Sequence, residues 1–335
     1  MIRIYRTDVD QFVTLEKTVG YNLDDSMVWF DLDHPTVEEE AWLEDLLGIE
    51  LPTREDMKGI EPSSRLYREN GATYMTANLL WKADSDLPET TQVAFILIQG
   101  KLVTIRYAEP RPFTAFQLYA ARNATVCSGG AMTLLGLLEA IIDRTSEILE
   151  KASTEVEEIS QKIAARRLMK TAKQRKRVHA SDELEHHLGT IVACQNLSSK
   201  VRDSLMSLAR VVSFLPLAKE FEKKGDKGDL LRENIVSLEH DVQSLIDHTT
   251  FLNANLNFLL DAALGLINIE QNAIIKIFSI AAVVFLPPTL VASIYGMNFH
   301  DIPELSFRFG YPMALCFIVL AGVGPYWFFK RKGWL

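Results

Sequence analysis

Two uncharged runs near the C-terminus constrain this chain more than any other feature. Ile277 to Tyr295 is nineteen consecutive residues without a charge, and Gly310 to Phe329 is twenty more. A helix rises ~1.5 Å per residue, so each run is long enough to cross a hydrocarbon core of ~30 Å. In lipid every backbone polar group must be satisfied internally, so both runs are expected to be helical, joined by a hairpin over 296–309. The basic cluster Lys330-Arg331-Lys332 follows the second run directly. Positive-inside logic puts that end in the cytoplasm, and two spans put the long segment before the first run on the same side. Met1–Arg6 offers neither an apolar signal region nor a cleavage site.

Charge is concentrated upstream of residue 271. The net charge of −9 argues against nucleic acid as a partner and suits a surface that attracts cations. Cys127, Cys194 and Cys316 are odd in number and far apart, which fits a reducing compartment and neither a disulfide framework nor a thiolate metal site.

The first part, residues 1–130, reads as a cytoplasmic α/β domain. Ile2–Tyr5, Met27–Phe30, Thr73–Leu80, Val93–Ile98 and Leu102–Arg106 are rich in β-branched and aromatic residues and read as strands. Gln99-Gly100-Lys101 reads as a hairpin turn. Thr36 followed by Glu39 is a capping-box signal for a helix through Leu47 that Gly48 stops, and 52–56 begins a further short helix. A mixed sheet with helices packed on it is the simplest assembly. No glycine-rich phosphate loop and no nucleophile–base pair is present, so an enzyme is not expected. His34 beside Asp31 and Asp33 is read as a solvated strand-end loop rather than a metal site. Asp84 and Asp86, before Pro88, are turn residues first and weak divalent-cation ligands second.

Residues 131–228 form a helical hairpin region. Leu134, Leu138, Ile141, Ile148 and Ile159 keep helical spacing, while Glu139, Asp143, Glu147, Glu150, Glu155, Glu157 and Glu158 make an acidic face. Such a face is usually just solvated; the functional alternative is a lure for divalent cations. The basic run 170–177 reads as the hairpin tip, with a return helix from Asp182 towards Phe214. His179, His186 and His187 lack zinc-ligand spacing.

From 229 to 295 one helix is expected to run as a stalk and continue into the first span. Leu231, Ile235, Leu238, Val242, Leu245, Thr249, Leu252, Leu256, Leu259, Ala263 and Leu266 keep a 3-4 spacing, the pattern of a packed seam that needs partners. The remaining segments are an external loop at 296–309, a second span at 310–329 and a basic tail at 330–335. A single two-span hairpin cannot enclose a water path, so conduction would require several copies around an axis. Asn272 stands at the entrance of the first span, Thr289 and Ser293 share a face, and Asn298 lies just past its end. Rings of amide and hydroxyl oxygens suit a hard cation that keeps its water. Isolated Ser and Thr in a span are more often helix–helix glue, so both readings stand at this point.

Tyr295-Gly296-Met297-Asn298, then Phe299 and Pro303-Glu304-Leu305, resembles the signature of the CorA family of magnesium channels. The segments 268–272, 285–293 and 330–335 resemble its proteobacterial branch. The resemblance implies a CorA-like funnel, a homopentamer in a bacterial inner membrane with both termini cytoplasmic. It implies uptake of Mg²⁺ driven by membrane potential, with Co²⁺ and Ni²⁺ also permeant. It places Tyr295, Gly296, Met297 and Asn298 in the selectivity loop with Glu304 beyond, and gives Asn298 the outer ring for hydrated Mg²⁺. It lines the path with Asn272, Thr289 and Ser293, and makes Ile275, Phe278 and Leu286 the hydrophobic gate. Asp261 matches a further ion position. The family also closes when Mg²⁺ bridges neighbouring cytoplasmic domains, for which Asp84, Asp86 and Asp241 are the candidates. His300 beside the ring would make transport pH-sensitive. The alternatives are a zinc transporter like ZntB and, from another class, a membrane-anchored coiled-coil scaffold or sensor that moves no ion.

Overall fold

The computed structural model describes residues 1–15, 23–59, 61–85, 87–168, 180–221, 225–297 and 308–332. The chain divides into two units, Met1–Arg175 with Glu185–Leu260, and Lys176–Leu184 with Asp261–Leu335.

In the first unit, seven strands make one sheet in the order β2-β1-β3-β7-β6-β5-β4. They are β1 Ile2–Arg6, β2 Gln11–Thr14, β3 Met27–Asp33, β4 Leu66–Glu69, β5 Ala72–Trp81, β6 Glu89–Ile98 and β7 Lys101–Arg106. All neighbours are antiparallel except β3 and β7, which run parallel with Phe30 opposite Val103 and Leu32 opposite Ile105. The sheet is therefore mixed, as the strand pattern suggests. The two edge strands are the ones that pattern lacks: β2 and β4 have four residues each and are half-exposed, so burial imposes little on their sequence.

Local signals fix the connections. Helix α1 (Val37–Leu47) starts on a complete capping box between Thr36 and Glu39 and ends on Gly48, which is left-handed at φ 66°. A one-turn helix α2 (Pro62–Arg65) precedes β4. The β6–β7 hairpin turns on Gln99 and Gly100, with φ of 50° and 79°. Two successive positive φ values match the right-handed twist of the strands that leave the turn.

Alternation sends the two faces of the sheet to different cores. Phe30, Leu32, Val103 and Ile105 pack with Leu43 and Leu47 of α1. Trp29, Asp31, Thr104 and Arg106 face α3 (Arg111–Ala120), where Trp29 meets Phe113 and Phe116 and the Arg106 guanidinium lies 5.1 Å from the Phe113 ring. Asp31 is therefore not in a solvated loop, contrary to the sequence expectation. It is inaccessible and accepts a bidentate pair from Arg106, Nε to Oδ1 and Nη2 to Oδ2, both 3.1 Å. Thr104 and Gln117 also donate to it, and Arg106 reaches Asp33 at 3.2 Å. Burial by itself lowers the Arg106 pKa; the carboxylates of Asp31, Asp33 and Glu109 together outweigh it and raise it. Extending β3 to Asp33 put these carboxylates inside. His34, just beyond, is exposed and bonds Asp33 at 2.7 Å.

Helix α4 (Gly130–Leu168) and helix α5 (Ala180–Phe214) are the two arms of the expected hairpin; its basic tip lies outside the described residues. Gly130 starts α4 in contact with the hairpin turn. Its N–H donates to Gly100 O at 2.7 Å, and a β-carbon there would collide with the backbone of Lys101.

Helix α6 (Asp226–Tyr295) has 70 residues. Within the first unit its seam is buried: Leu231, Ile235, Leu238, Val242, Thr249, Leu252, Leu256 and Leu259 are all in the core. The partners lie in the same chain. Ser153 and His248 bond at 3.0 Å between α4 and α6, and Gln195 donates to Asn257 at 3.1 Å between α5 and α6. The second unit contains α6 from Asp261 onward and α7 (Gly310–Arg331). Both helices are long and apolar enough to cross a membrane.

Candidate functional site

Every residue of the expected path that is described lies on α6 and is exposed in the single chain: Asp261, Asn272, Ile275, Phe278, Leu286, Thr289 and Ser293. At about 100° per residue, Asp261, Asn272, Ile275, Leu286 and Ser293 fall within about 60° of arc. Phe278 and Thr289 flank that stripe on one side.

The other side of the helix meets α7. Gly322 lies against Pro288 and the carbonyl oxygen of Val284. Both residues are roughly opposite the polar stripe by the same arithmetic. The α6–α7 pair thus leaves Asn272, Ile275, Leu286 and Ser293 uncovered. Ile275, Phe278 and Leu286 are 60, 72 and 65% exposed, far more than a packed pair would leave on large apolar side chains.

Pro287 and Pro288 sit inside α6. Neither has an N–H, so the carbonyls of Val283 and Val284 lose their in-helix donors. Thr289 donates its hydroxyl to Phe285 O at 2.8 Å, which keeps its oxygen free to accept. At the end of the helix, Gly296 N–H bonds Ala292 O at 3.0 Å and Met297 N–H bonds Ile294 O at 3.3 Å, continuing the winding just past Tyr295. Asn298, His300 and Glu304 lie outside the described residues.

The candidate regulatory carboxylates separate. Asp84 is engaged by two guanidinium groups, Arg111 at 2.6 Å and Arg144 at 2.9 Å, so a cation there would have to displace both. Asp86 lies outside the described residues. Asp241 lines a cavity of about 900 Å³ between the start of α4 and the start of α6, together with Glu139, Asp143 and Glu220. The Glu139 carboxyl is raised by burial and then by Asp143 and Asp241; Asp143 is raised by burial and then by Asp241 and Glu147. The sequence puts Glu139 and Asp143 on an acidic face that reads as solvated or, alternatively, as a lure for divalent cations. Their four-residue spacing puts them on one side of α4, but only the fold brings that side opposite Asp241.

Among the described residues no group of three His, Cys, Asp or Glu is placed to hold a metal ion. Burial pushes the Cys127 and Cys194 thiols up to about 11, so both are protonated near neutral pH.

The model of the CorA-like Mg²⁺ transporter family matches residues 24–331. The chain belongs to the CorA family. The magnesium transport protein CorA of Salmonella typhimurium is 35% identical over 335 residues, covering the whole of both chains. That of Escherichia coli K12 is 37% identical over 311 residues, 92% of each. These CorA relatives are transport proteins rather than enzymes. Among solved structures, the CorA magnesium transporter of Methanocaldococcus jannaschii matches with a TM-score of 0.72 at 21% identity, covering 100% of this chain and 98% of that one. The full-length CmaX protein matches at 0.64 and 14%, over 98% and 96%. The CorA fold is thus present from end to end: an α/β domain, long helices and two C-terminal apolar helices.

Proposed function

We propose that this CorA-family Mg²⁺ transporter is a channel in which copies of α6 line a central path and copies of α7 form the outer ring. The observation that carries the reading is the stripe Asp261, Asn272, Ile275, Leu286 and Ser293, uncovered on the side of α6 away from Gly322. A membrane helix that presents amide and hydroxyl groups on its open side needs other copies or water there. Five copies around an axis is the arrangement the family resemblance implies. Phe251 and Phe258, seven residues apart and 68 and 65% exposed, support an intersubunit contact along the cytoplasmic part of α6.

In this reading Asn298 holds hydrated Mg²⁺ at the outer mouth within the Tyr295–Met297 turn, with Glu304 nearby. Asn272, Thr289 and Ser293 line the path, and Ile275, Phe278 and Leu286 close it by excluding water. Asp261 is a further ion position at the inner end. Co²⁺ and Ni²⁺ pass by the same route, and the membrane potential drives uptake across a bacterial inner membrane with both termini inside. Residues 1–130 and 131–228 form the cytoplasmic sensor. Mg²⁺ bound between neighbouring subunits holds the closed state, and its loss shifts the population towards the open one. Of the proposed regulatory carboxylates, Asp241 is the better placed, because it already shares a cavity with Glu139 and Asp143 while Asp84 has two arginine partners.

The test is Mg²⁺ flux into proteoliposomes at defined internal Mg²⁺. Wild type should conduct and close as internal Mg²⁺ rises. Asn298→Ala should lose roughly ten-fold or more in flux, the cost of about 1.4 kcal/mol of lost ion contact. Zn²⁺ flux coupled to a proton gradient, without Mg²⁺ flux, would replace the ion; no flux of any cation would remove the channel.

A further inference from the structure

The last turn of α7 carries three cation–aromatic pairs in succession. Lys330 Nζ lies 5.9 Å from the Tyr326 ring, Arg331 Cζ 4.4 Å from Trp327, and Lys332 Nζ 5.3 Å from Phe328. Each pair is separated by four residues, so each basic side chain folds back one turn along the helix, as the tilt of helical side chains towards the N-terminus allows. The three rings are 46, 58 and 54% exposed. At about 100° per residue the pairs cover roughly 200° of the helix surface.

This arrangement differs from ordinary snorkelling, in which a basic residue at the end of a span stretches away from the hydrocarbon into water. Here the cations are held back at the level of the aromatic rings, the depth at which Trp and Tyr settle between acyl chains and headgroups. That is the depth of the lipid phosphates. No Asp or Glu occurs from Phe309 to the end of the sequence. Among the described residues no carboxylate lies within ion-pair distance of Lys330, Arg331 or Lys332. A guanidinium stacked on an indole face still presents its N–H edge outward, in the planar geometry that takes two phosphate oxygens. The helix macrodipole accounts for basic residues at this end. It does not account for three consecutive aromatic platforms beneath them.

We infer that the C-terminal turn of α7 binds the phosphate of an anionic phospholipid, with Arg331 on Trp327 as its central contact. The charge balance selects the occupant. A zwitterionic lipid brings its own ammonium to a site that already holds three cations, whereas an anionic one brings net negative charge. The inference rests on α7 being a membrane span and not on which ion the protein carries.

Trp327 is its own reporter. The full-length Trp334→Phe variant is reconstituted in vesicles containing an equal small fraction of either brominated phosphatidylglycerol or brominated phosphatidylcholine, and tryptophan quenching is compared. Quenching by the anionic lipid should exceed that by the zwitterionic one about five-fold or more, the factor that one basic residue near an anionic surface supplies. Replacing Lys330, Arg331 and Lys332 together by Gln should bring the ratio to one. Equal quenching in the parent variant, or a ratio that survives the triple substitution, overturns the lipid site while leaving the span intact. Quenching by neither lipid overturns the span and the site together, whatever the ion flux.

Discussion

A β-carbon on Gly322 of α7 would stand 3.3 Å from Cγ of Pro288 and 3.8 Å from the carbonyl oxygen of Val284 on α6. That oxygen is one of the two that the Pro287–Pro288 pair leaves without a helical donor. Between membrane helices there is no hydrophobic drive to associate, so close backbone approach at a small residue supplies much of the contact. The glycine thus holds α7 to the face of α6 opposite the polar stripe.

Gly322→Leu should therefore separate the two helices and reduce Mg²⁺ flux, while the protein still inserts in the membrane. Gly322→Ala needs Pro288 to give by only a few tenths of an ångström and should retain most of the flux. Flux into proteoliposomes, normalised to inserted protein, checks the order wild type, Ala, Leu. Equal flux for Leu and wild type would show that the contact does not matter to transport.

Asp31→Asn or Arg106→Met should each destabilise the first unit by about 3–5 kcal/mol, because the first leaves the buried Arg106 with Asp33 as its one carboxylate partner among the described residues and the second leaves the Asp31 carboxylate buried without its cation. The double replacement Asp31→Leu with Arg106→Met removes both charges and should cost less than either single change. Thermal unfolding followed by circular dichroism gives the order. A double variant less stable than both single variants would mean the ion pair does more than balance itself.

Gly130→Val should also destabilise the first unit, because the added carbons meet the backbone of Lys101 rather than a movable side chain. Urea unfolding of the full chain is expected to show a lower midpoint with an unchanged slope. An unchanged midpoint would mean that α4 can start elsewhere.

Much of this fold was legible because its signals are local or periodic. The capping box at Thr36, the positive-φ turn at Gly100 and the 3-4 seam of α6 each state their structure in a few residues. The buried Asp31–Arg106 pair was not legible: its partners are 75 residues apart and meet only because β3 and β7 are parallel neighbours. The edge strands β2 and β4 were missed because a half-exposed strand carries little hydrophobic alternation. The candidate path was readable as residue types, but its placement opposite α7 needed the position of Gly322. The acidic cavity was readable only in halves, one on α4 and one on α6.

That cavity gives the last prediction. The carboxyls of Glu139 and Asp143 are raised by burial first; Asp143 and Asp241 then raise Glu139, and Asp241 and Glu147 raise Asp143. A raised carboxyl holds its proton more tightly when folded than when unfolded. Its favourable contribution is complete below the ordinary carboxylate range and is lost as pH rises through the raised value. Near pH 7 the ionised groups repel and the folded state bears that cost. Asp241→Asn, measured without Mg²⁺, should therefore unfold at a higher temperature than wild type near pH 7. The difference should vanish near pH 4, about the reference value for these groups. A ligand at free concentration L that binds only the folded state stabilises it by RT ln(1 + L/Kd), so if the cavity takes Mg²⁺, added Mg²⁺ should stabilise wild type more than Asp241→Asn. If the variant is the less stable protein near pH 7 in the absence of Mg²⁺, Asp241 is not a source of repulsion. If Mg²⁺ stabilises both equally, Asp241 does not contribute to binding Mg²⁺ in this cavity.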